Sequence, residues 1–209
     1  MKTKNIFSAI IFLLLAVSGN VNAQDSRLLD QLYDDIMSSC VNMDYSYSTE
    51  VSGIKMSGNH SLEIQNDLWH MKGNGIEVWC DGESVWTSDP VAKEVIIEPA
   101  FEDSDGSLTN PALILVKLND WFEVKDERVS SDGRSVLYIM VPKIGTNIEY
   151  LNLRVRKSDR AILSGSFAME DGNAVNIDVV SMNMAPKRPV SYFRPAVSFD
   201  ASWIVTDLR

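Results

Sequence analysis

Asn-Gly and Asp-Gly pairs recur at short intervals along this chain and separate runs in which apolar and polar residues alternate. Such pairs stand at residues 74–75, 81–82, 132–133 and 171–172, and each supplies the positive φ that a tight hairpin needs. The alternating runs beside them occupy residues 76–80, 84–87, 94–98, 136–141, 149–156, 162–169 and 174–182. Because alternation is typical of half-buried strands, the pattern predicts a long antiparallel meander, either a single curved sheet or a barrel.

Two helical segments interrupt this β pattern. After residue 24, apolar side chains follow a helical spacing at Leu29, Leu32, Tyr33, Ile36 and Met37. The second segment has Asn110 placed as N-cap and Pro111 as the first helical residue.

The second segment is short and apolar almost all round as far as Leu118. Because such a helix is unstable alone in water, we expect it to pack on the sheet as part of a lid over a concave face. The polar residues 101–108 would form a mobile connection into it.

The N-terminus predicts export. Lys2 and Lys4 precede an apolar run too short to span a membrane, and a small-residue cleavage site ends at Ala23. We therefore predict a cleaved signal peptide over residues 1–23 and a single domain over 24–209, which we expect to be a monomer. Removal of the signal peptide leaves 17 basic and 29 acidic residues, so the formal charge becomes 17 − 29 = −12. That charge disfavours nucleic acid and anionic membrane surfaces as partners.

Few residues suggest covalent chemistry. The two histidines, His60 and His70, lack partners at the positions that a catalytic triad or a zinc site requires, so we expect structural roles for both. Residues 102–106 resemble a calcium loop weakly but lack its regular ligand spacing. We expect no metal, no cofactor and no enzymatic activity, although two carboxylates brought together by the fold would suffice for a hydrolase.

Two cysteines remain after export, Cys40 and Cys80. An oxidising compartment permits a disulfide between them, but two cysteines form no framework pattern, and a buried free thiol behaves as a small apolar side chain. Both alternatives stay open on the sequence.

Large apolar side chains fall on both faces of the central strands. Alternation places Val78 and Cys80 on one face and Trp79 on the other, and it sets Trp86 opposite Val85. Two covered faces would explain this arrangement, and so would a lipophilic cavity.

The order of several motifs resembles the periplasmic outer-membrane lipoprotein carrier family (LolA-type). The run CDGESVWTSDP at residues 80–90 resembles the family's S-D-G-x-x-x-W-x-x-x-P hairpin, with Cys80 in place of the serine. The run NPALIL at residues 110–115 resembles the Pro-containing lid helix, and Trp121 follows as in the family. Residues 141–143, VPK, resemble its Pro-Lys strand end.

This resemblance implies a mainly β fold with a few helices: an incomplete (half) antiparallel β-barrel with a helical lid over a hydrophobic cavity. It further implies a periplasmic carrier that shuttles acylated lipoproteins from the inner to the outer membrane, with an inner-membrane release machinery and an outer-membrane acceptor as partners. From the motif positions and the apolar pattern, we expect an acyl-chain cavity lined by Trp69, Met71, Val78, Trp86, Ile96, Leu113, Ile114 and Leu118.

Two alternatives stay open. A lipid- or lipoprotein-sensing module of envelope-stress regulation has the same half-barrel, and a lipid or glycan hydrolase is the enzymatic alternative. The chain also departs from the family, which has an arginine in the strand before the Asp-Gly hairpin; residues 63–69 contain no Arg or Lys. We expect Gln65 or Asn66 to make weaker lid contacts in its place.

Overall fold

A computed structural model of the chain describes residues 23–51, 53–100, 111–143, 145, 148–169, 172–196 and 199–209. Within these ranges the helices are α1 (Ala23–Ser38), α2 (Pro111–Val116) and α3 (Leu118–Trp121), with a 3-10 helix at Val190–Phe193. The strands are β1 (Cys40–Val51), β2 (Ile54–Gln65), β3 (Leu68–Gly73), β4 (Ile76–Cys80), β5 (Ser84–Asp89), β6 (Glu94–Pro99), β7 (Phe122–Val129), β8 (Ser135–Pro142), β9 (Ile148–Arg156), β10 (Ile162–Met169), β11 (Ala174–Ala185) and β12 (Ile204–Asp207).

Some predictions lie outside the described residues. They concern the signal peptide up to residue 22, the mobile connection at residues 101–108, the acidic loop at 102–106 and the N-cap Asn110. The predicted helix start at Pro111 is confirmed, but the segment is divided: α2 ends at Val116 and α3 begins at Leu118.

One open sheet contains every strand of the described ranges, in the order β12-β6-β5-β4-β3-β2-β1-β11-β10-β9-β8-β7. Neighbouring strands are antiparallel except at one edge, where β12 runs parallel to β6. Because β12 and β7 remain as edges, the sheet does not close. The predicted class is confirmed: a mainly β chain with a few helices and an incomplete antiparallel barrel.

The helices pack on one face of this sheet, which we call the inner face. It carries Val41, Met43 and Tyr45 of β1, and these belong to one buried apolar cluster with Leu32 and Ile36 of α1. The same cluster includes Ala112, Ile114, Leu115 and Val116 of α2. The short apolar helix is therefore stable because the sheet removes its side chains from water.

The opposite, outer face is also covered over β2 to β6. Trp79, Val95 and Ile97 are buried there, outside the cluster that contains the helices. The chain after β11 crosses this face: Tyr192 donates hydrogen bonds from its hydroxyl to the Glu63 carboxylate, and Phe193 is fully buried. Two covered faces thus account for the apolar side chains on both sides of the central strands.

Gln65 holds this C-terminal segment. Its Nε2 donates to the Arg188 carbonyl at 2.9 Å, and its Oε1 accepts from the Arg188 N–H at 2.7 Å. Both bonds follow from alternation, which points Gln65 outwards when Ile64 points inwards. The expected contact between Gln65 and the lid is therefore wrong, and Asn66 lies in the following turn with φ 53°.

The edge strand β7 was not predicted as a strand. Its sequence, FEVKDERV, buries Phe122 and leaves most other side chains exposed. Charged residues along an edge strand hinder pairing with a second sheet, and they also mask the alternation by which strands are recognised. In the described part of the chain, no helix combines the length and the apolar character needed to cross a membrane.

Candidate ligand cavity

A cavity of about 460 Å³, which we call the mouth, opens at one end of the inner face. Side chains of β1, β2, β3, β10 and β11 line it together with Pro111, the first residue of α2. Its main apolar and aromatic lining residues are Tyr45, Tyr47, His60, Met71, Val175 and Ile177. A volume of this size falls within the range of about 300–1,000 Å³ that small-molecule sites have.

A smaller pocket of about 40 Å³ lies beneath α2. It is lined chiefly by Met43, Ile114, Leu115, Leu153, Phe167 and Val179. The mouth and this inner pocket share Pro111 and Ile177 as lining residues. The two cavities therefore lie side by side, and together they run from the end of the sheet to the space under α2.

Uncharged side chains line both cavities. Among the described residues around the mouth and the inner pocket, none is Asp, Glu, Lys or Arg. The arrangement resembles ligand sites that bury apolar groups and use a few placed polar atoms for orientation.

Three aromatic rings form the polar part of the mouth. His60 stacks on Tyr47 with ring centroids 5.0 Å apart and an interplanar angle of 4°, and it meets Tyr45 edge-on at 5.5 Å. Strand register brings the rings together, because β1 sets Tyr45 opposite His60. On the other side, β3 sets Gly73 opposite His60, and a side chain at Gly73 would overlap the imidazole. Glycine at position 73 therefore leaves the space that the ring occupies.

Burial shifts the pKa values of His60 and Tyr45. It lowers the pKa of His60 below its ordinary value of 6.5, so the ring is neutral at pH 7. It also raises the pKa of Tyr45 to about 12, with a smaller contribution from the neighbouring Tyr47. The Tyr45 hydroxyl lies 3.5 Å from the Met71 sulfur, which accepts its hydrogen bond. The mouth therefore presents hydrogen-bonding groups that carry no charge at pH 7.

Contacts at the far end of α2 and in α3 hold the covering helices in place. The Tyr33 hydroxyl of α1 donates to the Val116 carbonyl at 3.4 Å. The Lys143 ammonium donates to the Asn119 carbonyl at 2.6 Å, and the Lys143 N–H donates to the Trp121 carbonyl at 2.7 Å. These bonds anchor the helices away from Pro111, the end that borders the mouth.

The structure places two of the eight predicted residues in the cavity walls, Met71 in the mouth and Ile114 in the inner pocket. Trp69, Val78 and Leu118 are buried in the inner-face cluster but line neither cavity. Leu113, on α2, is half-buried and likewise lines neither of them. The prediction that these side chains contact acyl chains stays a prediction.

The positions of Trp86 and Ile96 differ from the expectation. Trp86 pairs with Trp79 across β4 and β5, so it lies on the outer face, whereas Val78 and Thr87 lie on the inner face. This register places Trp86 outside the cavity, contrary to the expectation. Ile96 pairs with Thr87 and does lie on the inner face, but it is 41% exposed near the sheet edge.

Most of the cavity wall comes from strands from which no cavity residue was predicted, among them β1 and β11. Tyr45 and Tyr47 of β1 and Val175 and Ile177 of β11 face each other across adjacent strands, with Tyr47 opposite Ile177. Their alternation is visible in the sequence. The pairing of β1 with β11 is not, because about 130 residues separate these partners along the chain.

Both thiols are free and buried, so the structure supports the free-thiol alternative and not the disulfide. Cys80 lies on the inner face, where it pairs with Trp69. Cys40 precedes the inward-facing Val41 and therefore points to the outer face. The sheet itself separates the two sulfur atoms.

His70 lies on the outer face, away from the cavity. Its Nε2 is 2.9 Å from a Glu77 carboxylate oxygen and its Nδ1 is 3.4 Å from Glu63, and the ring stacks on Trp79 at 5.2 Å. Within the described residues, no group of three or more His, Cys, Asp and Glu side chains is arranged to hold a metal ion. These contacts fit the structural role expected for His70.

The fold and the site together define an open half-barrel whose inner face carries helices and an uncharged, largely apolar cavity. A solved structure with a similar fold is that of an uncharacterized conserved protein from Thermus thermophilus. It has a TM-score of 0.54 and 12% identity over 88% of this chain and 99% of that chain. At this identity the likeness shows a shared fold alone.

Solved structures similar to this chain also include proteins of the kind that the sequence resembles. One is a LolA superfamily protein from Nitrosomonas europaea, with a TM-score of 0.44 and 11% identity over 81% of this chain and 97% of that chain. Another is a putative outer membrane lipoprotein-sorting protein domain from Vibrio parahaemolyticus, with a TM-score of 0.44 and 9% identity over 82% and 97%. At such scores these two carry no argument about function. No protein-family model matches the chain, and no curated protein matches it.

Proposed function

We propose that this protein is a periplasmic carrier that holds the acyl chains of a lipid, most specifically those of a lipoprotein, in the cavity under α2. The observation that carries the proposal is the continuous uncharged lining from the mouth to the inner pocket, described above for Met71, Ile114 and Ile177. Among ligands, an acyl chain gains the most binding free energy from such a lining, because nearly all of its surface is apolar.

The energetics favour a hydrocarbon ligand. Each CH₂ group removed from water contributes about 0.8 kcal/mol, so a long chain gains several kcal/mol from a largely apolar cavity. A carrier has to release its cargo, and apolar contacts are reversible. Within the described cavity lining, His60 is the one histidine, and no carboxylate accompanies it as a hydrolytic site would require. This supports carriage over hydrolysis.

The finer part of the proposal rests on the sequence resemblance. Residues 80–90 and 110–115 resemble a family whose cargo is lipoproteins in transit from the inner to the outer membrane. We extend that role to this chain, with an inner-membrane release machinery as donor and an outer-membrane lipoprotein receptor as acceptor. The predicted signal peptide over residues 1–23 supports this proposal, because it would export the mature chain across the inner membrane.

The test uses the mature protein, residues 24–209, purified without detergent and incubated with a triacylated lipoprotein. Native mass spectrometry then reports the complex. Wild type is expected to form a one-to-one complex, and Val175→Asp, which places a carboxylate in the mouth, is expected to reduce its yield at least about tenfold. Val180→Asp is the matched control, because Val180 lies on the same strand but is 76% exposed and lines neither cavity.

Circular dichroism of both variants establishes that each is folded before the yields are compared. An intact complex with folded Val175→Asp would contradict the assignment of the cavity. Wild-type protein that never takes up an acylated cargo would contradict the carrier itself.

A further inference from the structure

The mouth is suited to one kind of lipid head group, and this inference rests on the proposed function. The inner pocket of about 40 Å³ has room for only the end of an acyl chain, so the rest of the chain and its first polar group share the mouth of about 460 Å³ with His60, Tyr45 and Tyr47. The chemistry of these side chains therefore bears on which lipids fit.

No cation faces this position among the described residues that line the mouth. Lys55 is adjacent in sequence to the lining residue Met56, but strand alternation points it to the opposite face. Glu50 stands opposite Lys55 in the register of β1 and β2. A phosphate or carboxylate at the mouth would thus meet no compensating charge from the described lining residues, in a chain of strongly negative net charge.

Hydrogen-bonding capacity is present instead. The His60 ring contacts Tyr45 and Tyr47 and packs over Gly73, and among the hydrogen bonds of the described residues its ring nitrogens have no protein partner. A neutral imidazole offers one N–H donor and one nitrogen acceptor. The Tyr47 hydroxyl accepts a hydrogen bond from Asn74 Nδ2 at 3.0 Å and retains its own hydrogen as a donor. Ester, amide and hydroxyl groups are the complementary partners.

We propose that the cavity selects acyl lipids whose first polar groups are uncharged esters, amides or hydroxyls, as in glycerides and N-acyl groups, and disfavours anionic lipids. His60 is the principal polar contact of that head group. Acyl chains supply the affinity, and the mouth supplies the selection.

The test compares two ligands of equal chain length, a monoacylglycerol and the corresponding fatty acid, at pH 8, where the fatty acid is ionised. Each is titrated below its micelle concentration against the mature protein by displacement of a fluorescent acyl probe. We expect the monoacylglycerol to bind about tenfold more tightly. His60→Phe keeps an aromatic ring but removes both hydrogen-bonding nitrogens, and it is expected to reduce this preference about three- to tenfold.

A charge-introducing variant tests the same inference in the opposite direction. Met56→Lys places a cation at the mouth and is expected to shift the affinity ratio about tenfold towards the fatty acid. Val180→Lys adds the same charge outside both cavities and is expected to leave the ratio unchanged.

Three results would contradict the inference, and each identifies a different part of it as wrong. Equal affinity for both ligands, or tighter binding of the fatty acid, contradicts head-group selection but leaves the acyl cavity standing. A preference that both His60→Phe and Met56→Lys leave untouched contradicts the assignment of the selection to the mouth. Failure to bind either ligand contradicts the proposed function as well.

Discussion

Arg194 and Asp81 form an ion pair that ties the C-terminal segment to the hairpin between β4 and β5. The Arg194 Nε donates to the Asp81 carboxylate at 2.6 Å, and the carboxylate also accepts backbone N–H bonds from Glu83 and Ser84 at 2.9 Å. Burial alone would raise the pKa of Asp81, but these hydrogen bonds and the guanidinium charge outweigh it and hold the pKa below its ordinary value. One carboxylate thus organises the Asp81-Gly82 turn and anchors the cover of the outer face.

Removal of the arginine should destabilise the fold. The Asp81 side chain is 2% exposed, so Arg194→Gln leaves a buried carboxylate with a weaker partner, and we expect a loss of about 1–3 kcal/mol in the free energy of unfolding. Arg156→Gln is the control, because Arg156 and its partner Asp159 are both about half exposed, and we expect a loss below about 1 kcal/mol. Urea denaturation measures both. Equal losses would show that the Asp81 contact has no special role.

The free energy of unfolding should decrease as the pH is lowered through the range where His60 titrates. The pKa of His60 in the folded state is depressed by burial, so below its ordinary value of 6.5 the unfolded chain binds a proton before the folded chain does. The contribution of the neutral His60 to the free energy of unfolding is therefore fully present above about pH 6.5. It is lost progressively as the pH falls towards the folded-state pKa. Unfolding free energies of wild type and His60→Phe between pH 5 and 8 measure it. The variant should show a weaker dependence, and identical profiles would contradict the burial of a neutral imidazole.

The packing of His60 over Gly73 should make alanine at position 73 costly. The added methyl group overlaps the imidazole, so Gly73→Ala should reduce stability by about 1–3 kcal/mol through overpacking. In a double-mutant cycle with His60→Ala, the two changes should couple by about 0.5–3 kcal/mol, because removal of the ring leaves space for the methyl group. Among the described residues no atom lies within 4 Å of a Cβ added at Gly145, so Gly145→Ala should be close to neutral. Additive losses at Gly73 and His60 would contradict the contact.

The two thiols should be unreactive until the protein unfolds. Cys40 and Cys80 are buried, and burial raises the thiol pKa of Cys80 to about 11 and also raises that of Cys40. Because the thiolate is the reactive form, a thiol reagent at pH 8 should modify neither residue in the native protein and both in denaturant. Intact mass after alkylation counts the modified thiols. A denatured, unreduced chain that takes up no reagent would reveal the disulfide that this structure does not contain.

The local elements were predictable from the sequence because their signals are local. Pro111 marks the start of α2, the Asp81-Gly82 pair marks a hairpin, and alternation marks most of the strands. The strand β7 was not predicted because charged residues occupy both of its faces and hide the alternation. The helical segment was predicted as one piece because its apolar pattern is continuous, whereas the structure divides it at Lys117.

The composition of the cavity was less predictable because it depends on pairing between distant segments. Tyr47 meets Ile177 across β1 and β11, and no local signal indicates that pairing. Likewise, Trp86 lies on the outer face because β5 pairs it with Trp79, which is buried there. Alternation within one strand does not relate Val78 to Trp86, and both were predicted to line the cavity; the pairing of β4 with β5 sets them on opposite faces.

Photo-crosslinking tests the central claim most directly. The mature protein is incubated with an acyl lipid that carries a diazirine near the end of its chain, irradiated, digested and sequenced by mass spectrometry. We expect crosslinks to concentrate on cavity residues such as Met71, Ile114 and Ile177, and to fall sharply in Val175→Asp. Crosslinks that instead cluster on the outer face around Trp79 and Trp86, or that are unaffected by Val175→Asp, would contradict an acyl-binding cavity beneath α2.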